Sequence, residues 1–257
     1  MRITAWLICC WSWGAFAQTV PSMAQLSIAL KPEQSLPLSS EIRFELETRN
    51  PEAIAAALRE WQGVTTAPVS DNVLAVTMKA QPQYTGSVQE QHSKASFVVD
   101  FDESATQEFV AGFKTLPGEA VRLEQLAEYV SEFMVNPTSI HGFNIASVVA
   151  AQQSGDCTEY AVLSTALARA LGLPARVIVG SVIVELPDEV VAYGHAWAEV
   201  WHNERWNIVD AALYGAGFAQ AFYLPASDLA KEGPGYSMSV INAVNLMPVK
   251  IRQLSSI

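Results

Sequence analysis

The sequence predicts an α+β protein in which one buried helix packs on an antiparallel sheet, behind a smaller mixed N-terminal region. Helical spacing of apolar residues follows Cys157 and stops at Leu171–Pro174, where a Gly and a Pro end the pattern. Three β-rich segments come next, Val177–Val184, Val190–Trp201 and Trp206–Leu213, with turn residues between them. Sequential strands joined by short turns favour antiparallel pairing, hence the α+β class.

The N-terminus is predicted to be a signal peptide, residues 1–17. Arg2 precedes an uncharged apolar run that closes in Ala15-Phe16-Ala17, an A-x-A cleavage pattern. The run is shorter than the roughly 20 residues that a membrane span needs, so an uncleaved anchor is the less favoured alternative. Cleavage near Ala17 exports the protein to the periplasm or the exterior, with no stable membrane span in the mature chain.

Composition and charge limit the kinds of molecule that this protein is expected to bind. Half of the 257 residues are apolar, only 16% are charged, and the formal net charge is −11. A nucleic-acid partner is not expected, because phosphate binding needs clustered Lys and Arg. Two of the three cysteines, Cys9 and Cys10, leave with the signal peptide, so the mature chain keeps Cys157 alone and has no intramolecular disulfide.

Residues 18–102 are predicted to form the mixed N-terminal region and residues 103–257 the main domain, although composition changes only gently near residue 102. No spaced acids or cysteine occur in the N-terminal region, and His92, in a polar stretch, is interpreted as a surface residue. The predicted elements are strands at Leu26–Leu30, Ile42–Glu47, Val73–Met78 and Ser96–Phe101, one helix over Pro51–Trp61, and, further on, helices over Asp102–Thr115 and Glu119–Val135 separated by Pro117-Gly118.

Cys157 stands at the predicted start of the buried helix. Gly155-Asp156 supplies a turn and an N-cap. A thiol at a helix N-terminus is expected to have a lowered pKa and to form the nucleophilic thiolate more easily. The neighbouring N–H groups offer donors for an oxyanion. Without partners, the alternative interpretation of Cys157 is a small buried apolar residue.

Whether His195 and Asp210 share a face depends on the register of one hairpin. If its turn centres between Asn203 and Glu204, Trp201 lies opposite Trp206, and Asp210 shares a face with His195 one diagonal step away. An odd number of turn residues would point Asp210 to the other face. The catalytic hypothesis therefore predicts a turn of two or four residues.

Four motifs in chain order resemble the transglutaminase-like core, a group of papain-related thiol enzymes. They are Cys157 at a helix start, Leu171–Arg176, His195-Ala196-Trp197 and Trp206–Asp210, and the resemblance covers about residues 119 to 213. It implies a papain/transglutaminase-like fold with Cys157 as nucleophile, His195 as base and acid, and Asp210 as the residue that orients His195. Arg176 is structural in that family.

Two departures from the family pattern stand beside this resemblance. Ala211-Ala212 follow the acid where the family often has Pro or Thr, and no calcium loop of spaced acids is visible. Gln152 and Gln153 are candidates for an oxyanion amide, although loop residues of this type are more commonly solvated. We expect no cofactor and no metal, since Cys157, His195 and Asp210 contain no closely spaced ligand pair.

The function expected is thiol-dependent acyl transfer on amide bonds through a Cys-His-Asp triad. Attack by water would make a cysteine peptidase or amidase, and attack by an amine would make a transamidase; the sequence leaves both open. The substrate expected for an exported enzyme is a peptide, protein or cell-wall amide. The alternative is a non-catalytic binding or scaffold module of the same fold, and the oligomeric state is not predicted.

Overall fold

A computed structural model describes residues 23–32, 36–115, 120–138, 143–217, 219–229 and 231–257. The predicted signal peptide at 1–17 and the predicted break at Pro117-Gly118 lie outside these residues. Within the described ranges, no helix combines the length and the apolar character that crossing a membrane requires.

Strands dominate both ends of the chain. In chain order they are β1 (Ser27–Pro32), β2 (Glu41–Glu47), β3 (Trp61–Ser70), β4 (Val73–Tyr84), β5 (Asn136–Pro137), β6 (Ser154–Gly155), β7 (Ala175–Glu185), β8 (Val190–His202), β9 (Arg205–Val209), β10 (Gln220–Asp228) and β11 (Lys250–Ser256). Nine of them form one sheet in the order β10-β7-β8-β1-β11-β2-β4-β3, with β9 attached to β8, while β5 and β6 pair separately. Because β4 also packs against β9 and β10, the sheet curls back on itself.

Along the chain, most of the helices lie between the N-terminal and the C-terminal strands. They are α1 (Pro51–Leu58), α2 (Ser104–Gly112), α3 (Leu123–Phe133), α4 (Ala146–Gln152), α5 (Cys157–Ala170) and α6 (Tyr236–Asn245), with single 3₁₀ turns at Met23–Gln25 and Glu90–Ser93. The central helix α5 contacts β7 and β8 on one side and α2, α3 and α4 on the other. It is buried from Cys157 to Arg169, as a helix covered on both sides must be.

Most of the predicted elements are confirmed, with shifted ends. The predicted strand over Ser96–Phe101 is wrong: the segment is irregular, and Val98 donates to the Glu232 carbonyl while it accepts from Ala146. Trp61, predicted as a helix residue, begins β3 instead.

The N-terminal region contributes strands to the same sheet as the main domain. β1 pairs with β8 on one edge and runs parallel to β11 on the other, and β11 continues the sheet to β2. These pairings join segments more than 150 residues apart in the chain. The domain boundary near residue 102 stays a prediction.

Candidate active site

Cys157 is the first residue of α5, as the sequence predicts. The Asp156 side chain caps the helix by accepting from the Thr158 N–H at 3.0 Å. Glu159 bonds back to the Asp156 N–H at 2.9 Å, which completes a capping box. At Gly155 a Cβ would lie 2.3 Å from the Glu159 Cβ, so only glycine lets the chain pass here. The helix start is therefore held rigidly where the thiol sits.

The resting state of the Cys157 thiol differs from the sequence expectation. Its side chain is buried, and burial followed by the nearby Asp156 carboxylate raises the pKa of Cys157 well above its ordinary value. A hydrogen bond from the Ala196 N–H opposes this shift. The expectation of a lowered pKa is wrong, because desolvation outweighs the helix N-terminus when the site is closed. In this state Cys157 is a neutral thiol.

The bond from Ala196 arises at a gap along one edge of β8. Residues 192 and 193 of β8 pair with β1, and residues 198 to 202 pair with β9. Between these two stretches the edge is open. Alternate N–H groups of a strand point to the same edge. The Gly194 N–H thus meets the Leu26 carbonyl at 2.8 Å, while that of Ala196 meets the Cys157 sulfur.

The β8–β9 hairpin has the two-residue turn that the catalytic hypothesis requires. Asn203 and Glu204 have φ values of 52° and 62°, both in the left-handed region that a type I′ turn uses. Trp201 lies opposite Trp206, which is the register that the sequence predicts for this turn. Asp210 follows directly after β9 and reaches the face that carries His195.

His195 and Asp210 are hydrogen-bonded. The Nε2 atom of His195 is 2.8 Å from Oδ2 of Asp210, and both side chains are buried. The other ring nitrogen, Nδ1, is also buried and has no hydrogen-bond partner among the residues that the structure describes. Since the carboxylate only accepts, it selects the tautomer with the proton on Nε2, which leaves Nδ1 as a free base.

Aromatic rings enclose the imidazole. Trp197 stacks at 6.2 Å with an angle of 24°, Tyr193 approaches edge-on at 6.1 Å, and Tyr223 lies at 6.3 Å. Burial, followed by the charge of Asp210, raises the pKa of Tyr193 to about 12. These rings exclude water from His195, which strengthens its bond to Asp210.

A family comparison matches this part of the chain. The model of the transglutaminase-like superfamily matches residues 104–211, from the start of α2 to the residue after Asp210. Residues 104–211 are therefore similar to the transglutaminase-like superfamily, and we refer to this range as the transglutaminase-like domain. The matched range contains the four motifs on which the sequence resemblance rests.

Solved structures are similar to about three quarters of the chain. The periplasmic domain of TgpA from Pseudomonas aeruginosa, bound to ethylmercury, is 17% identical over 77% of this chain and 87% of that one, with a TM-score of 0.43. A candidate cysteine protease from Cytophaga hutchinsonii is 16% identical over 75% and 80%, with a TM-score of 0.32. A TGase is 13% identical over 76% and 57%, with a TM-score of 0.35. No curated protein matches the chain.

The transglutaminase-like domain also holds a second buried polar cluster, centred on Arg176. The guanidinium donates to Glu199 Oε2 at 2.6 Å and lies 3.6 Å from the centre of the Tyr84 ring. Trp61 donates to the other oxygen of Glu199 at 3.3 Å. Trp61 and Tyr84 belong to the N-terminal region, so Arg176 binds that region to the transglutaminase-like domain.

The site is closed to solvent. Cys157 is 5% exposed and His195 is 1% exposed, so a substrate carbonyl cannot reach the sulfur without movement of the cover. Met23, itself 1% exposed, belongs to the same cluster of buried side chains as Cys157. Its carbonyl lies so close to Gly194 that a Cβ there would be 2.7 Å away. The N-terminal turn thus packs against β8 and α5, the elements that carry His195 and Cys157.

Several features of the site carry no local sequence signal. The sequence gives no reason to single out Tyr193 or Tyr223, and a backbone donor such as the Ala196 N–H carries no residue-type signature. Gln152, a candidate for an oxyanion amide, has an exposed side chain at the end of α4, and Gln153 follows it in a left-handed conformation with φ of 51°. Among the described residues no group of three or more His, Cys, Asp or Glu is arranged to hold a metal ion.

Proposed function

We propose that this protein is a thiol-dependent acyl-transfer enzyme acting on amide bonds, with Cys157 as nucleophile, His195 as base and acid, and Asp210 as the orienting carboxylate. The observation that carries the proposal is the free Nδ1 atom of His195, buried beside the residue whose N–H bonds the Cys157 sulfur. A buried ring nitrogen without a partner is costly unless it has a use.

The chemistry follows from the neutral thiol. Because burial raises the pKa of Cys157, a standing thiolate is not available, and His195 Nδ1 takes the thiol proton as the sulfur attacks the carbonyl carbon. The C=O electron pair moves to oxygen, where backbone N–H groups close to Cys157 would donate to it. Asp210 stabilises the imidazolium by accepting from Nε2.

Collapse of this intermediate breaks the C–N bond. The oxygen pair returns to the carbonyl, the amine leaves with the proton from His195 Nδ1, and a thioester remains on Cys157. A second acceptor then attacks the thioester while His195 removes its proton, and the sulfur leaves as a thiol. Water as acceptor gives a peptidase or amidase, and an amine gives a transamidase.

The proposed setting is the periplasm or the exterior, with a peptide, protein or cell-wall amide as substrate. It rests on the apolar run and cleavage pattern of residues 1–17, and on the absence of a membrane-spanning helix in the described part of the chain. Cleavage near Ala17 would then remove residues 1–17.

Alkylation of the mature protein tests the proposal. Iodoacetamide should modify Cys157 through local opening of the folded protein, and His195→Ala should slow that reaction by about 100-fold or more, since a positioned base contributes about 10²- to 10⁴-fold. His202→Ala is the matched control because it removes a histidine from the far end of the same strand. Its rate should equal that of the wild type.

Two outcomes would contradict the proposal that this protein is an enzyme. One is a Cys157 that stays unmodified in the folded protein, and the other is an unchanged rate in His195→Ala. Either would favour the binding module of the same fold. If the thiol reacts, incubation with peptides, peptidoglycan fragments and amines, followed by mass spectrometry for a thioester, identifies the acyl donor and separates hydrolysis from transamidation, with Cys157→Ala as the blank.

A further inference from the structure

The hydroxyl of Tyr223 donates a hydrogen bond to Asp210 Oδ2 at 2.9 Å. This is the oxygen that also bonds His195 Nε2, at 2.8 Å. Tyr223 lies on β10, within the sheet, and is 7% exposed. A third side chain thus bonds the carboxylate that orients the imidazole.

The Asp210 carboxylate has a full set of donors only when Tyr223 is included. Its Oδ1 atom accepts from the N–H groups of Ala212 and Leu213, each at 3.1 Å. Its Oδ2 atom accepts from His195 and Tyr223. A carboxylate has about four acceptor positions, so these four donors fix its plane. Loss of the hydroxyl would leave His195 as the one side-chain donor on Oδ2.

The sheet positions this hydroxyl. Tyr223 on β10 lies opposite Val182 on β7, and His195 lies on the next strand, β8. The side chains of Tyr223 and His195 point to the same face of the sheet. Gly180, directly opposite His195, leaves room for the Trp197 ring, since a Cβ there would lie 2.9 Å from that ring. Trp197 in turn contacts the Tyr223 ring edge-on at 5.2 Å, which fixes its orientation.

Tyr223 also stays a neutral donor. Burial, together with the neighbouring Asp210 carboxylate, raises its pKa above the ordinary tyrosine range. Tyr193, on the same strand, is a further titratable side chain against His195, and Cys157 on α5 accepts from the N–H of the next residue, Ala196. Across the neutral pH range, therefore, the hydroxyl donates to Asp210 without adding a charge that would repel the carboxylate.

We propose that Tyr223 is a positioning residue of this site: its hydroxyl holds the Asp210 carboxylate, which keeps His195 Nε2 bonded and His195 Nδ1 free for the thiol. This inference rests on the proposed function for its catalytic consequence. The hydrogen-bond chain itself can be measured independently of any activity.

The test compares Tyr223→Phe with Tyr129→Phe in the mature protein. Tyr129 is the matched control because its hydroxyl bonds the Phe109 carbonyl, outside the site, so both variants lose one hydroxyl bond. In nitrogen-15 spectra the Nε2 proton of His195 should move upfield and exchange faster with water in Tyr223→Phe and stay unchanged in Tyr129→Phe. Alkylation of Cys157 should slow about tenfold in Tyr223→Phe alone, as expected for one lost hydrogen bond to a charged group.

A second variant guards against unfolding of Tyr223→Phe. Incorporation of 3-fluorotyrosine at position 223 keeps the ring and makes the hydroxyl a stronger donor, and it should move the His195 signal away from its wild-type position. An unchanged signal in both variants overturns the inference, as does an alkylation rate that stays at the wild-type value in Tyr223→Phe. A wild-type thiol that resists alkylation contradicts the proposed function instead, and the His195 signal then decides whether Tyr223 holds Asp210.

Discussion

Two buried polar clusters share one face of β8, four residues apart. The first contains His195, bonded to Asp210, and the second contains Glu199, bonded to Arg176. All four side chains are almost completely withdrawn from water. The clusters are built by the same strand at nearly the same depth, so their differences do not come from burial.

The Arg176 cluster is saturated. Arg176 donates to Glu199 through both Nε and Nη2, and a second carboxylate, Asp228, lies 3.6 Å from Nη1. Three aromatic rings surround the guanidinium: those of Trp61, Tyr84 and Trp206. Arginine suits such a site because its planar head bonds carboxylates at its edge and stacks on rings with its face. Nothing in this cluster is left to react.

The His195 cluster is complete on one side only. Its carboxylate has four donors, but Nδ1 of His195 has no partner among the described residues. Buried polar atoms in proteins almost always have partners. The contrast between the clusters is that the Arg176 cluster pairs its charged groups with one another, whereas Nδ1 of His195 and Nε1 of the neighbouring Trp197 have no partner among the described residues, which leaves the imidazole a lone pair for chemistry.

Matched carboxylate-to-amide substitutions should separate the two clusters most clearly. Asp210→Asn presents an N–H₂ group to His195, which moves the ring proton to Nδ1 and leaves no base for the thiol. The alkylation rate of Cys157 should fall by about 10²- to 10⁴-fold with a small loss of stability. Glu199→Gln leaves Arg176 buried and poorly paired, so the free energy of unfolding should fall by about 3 to 5 kcal/mol.

Urea denaturation and the alkylation rate per folded molecule measure both effects. The distinction between a catalytic and a structural cluster is wrong if Glu199→Gln slows alkylation of the folded protein as much as Asp210→Asn does. It is also wrong if Asp210→Asn loses as much stability as Glu199→Gln while its thiol keeps the wild-type rate.

Local pattern explains why the His195 cluster was largely predictable. His195 and Asp210 are 15 residues apart and joined by one hairpin, so alternation and the parity of a two-residue turn determine which side chains share a face. The start of α5 was predictable for the same reason, because Asp156, next to Cys157 in the chain, caps the helix by accepting from the Thr158 N–H.

Features built by long-range pairing were not predictable. Tyr223 reaches Asp210 through β10 and β7, and Met23 reaches the site because β1 inserts beside β8. His92, predicted as a surface residue, is 4% exposed because it packs edge-on against Trp206 at 5.0 Å. Burial, with Arg176 nearby, lowers the pKa of His92 to about 4. Its polar sequence neighbours give no sign of this packing.

Glu159 is a third buried carboxylate, to be compared with Asp210 and Glu199. Backbone N–H groups bond it, in place of a cation. It accepts from Asp156 and Asn144 at 2.9 and 2.8 Å. Burial, followed by the Asp156 charge, raises the pKa of Glu159 from 4.5 to about 7. Between these two values the folded protein keeps a proton that the unfolded chain releases. The free energy of unfolding should therefore fall as pH rises, by about 3 kcal/mol in total.

Urea denaturation of the wild type and Glu159→Gln from pH 4 to 8 measures this contribution. The variant lacks the titrating group, so its stability relative to the wild type should improve as pH rises from about 4.5 to about 7 and stay level above that. A stability difference that does not change with pH would mean that the pKa of Glu159 is the same in the folded and the unfolded chain. In that case its N–H donors offset its burial.

The last contrast concerns what packs around each cluster. The Arg176 cluster lies within the sheet, whereas the N-terminal turn containing Met23 packs against α5 and β8, the elements that carry the thiol and His195. Met23→Ala removes most of a buried side chain from that turn, so the closed form loses stability relative to a locally opened one. Alkylation of Cys157 should then accelerate about tenfold, which corresponds to about 1.4 kcal/mol of local opening.

Met78→Ala is the matched control, because Met78 is equally buried but lies on β4, in a different cluster of side chains. Both variants should lose comparable global stability to urea, and only Met23→Ala should expose the thiol. If Met78→Ala accelerates alkylation equally, iodoacetamide reaches Cys157 through global unfolding. If neither does, the opening that admits substrate lies on another side of the site, and the turn at Met23 is a fixed wall like the sheet around Arg176.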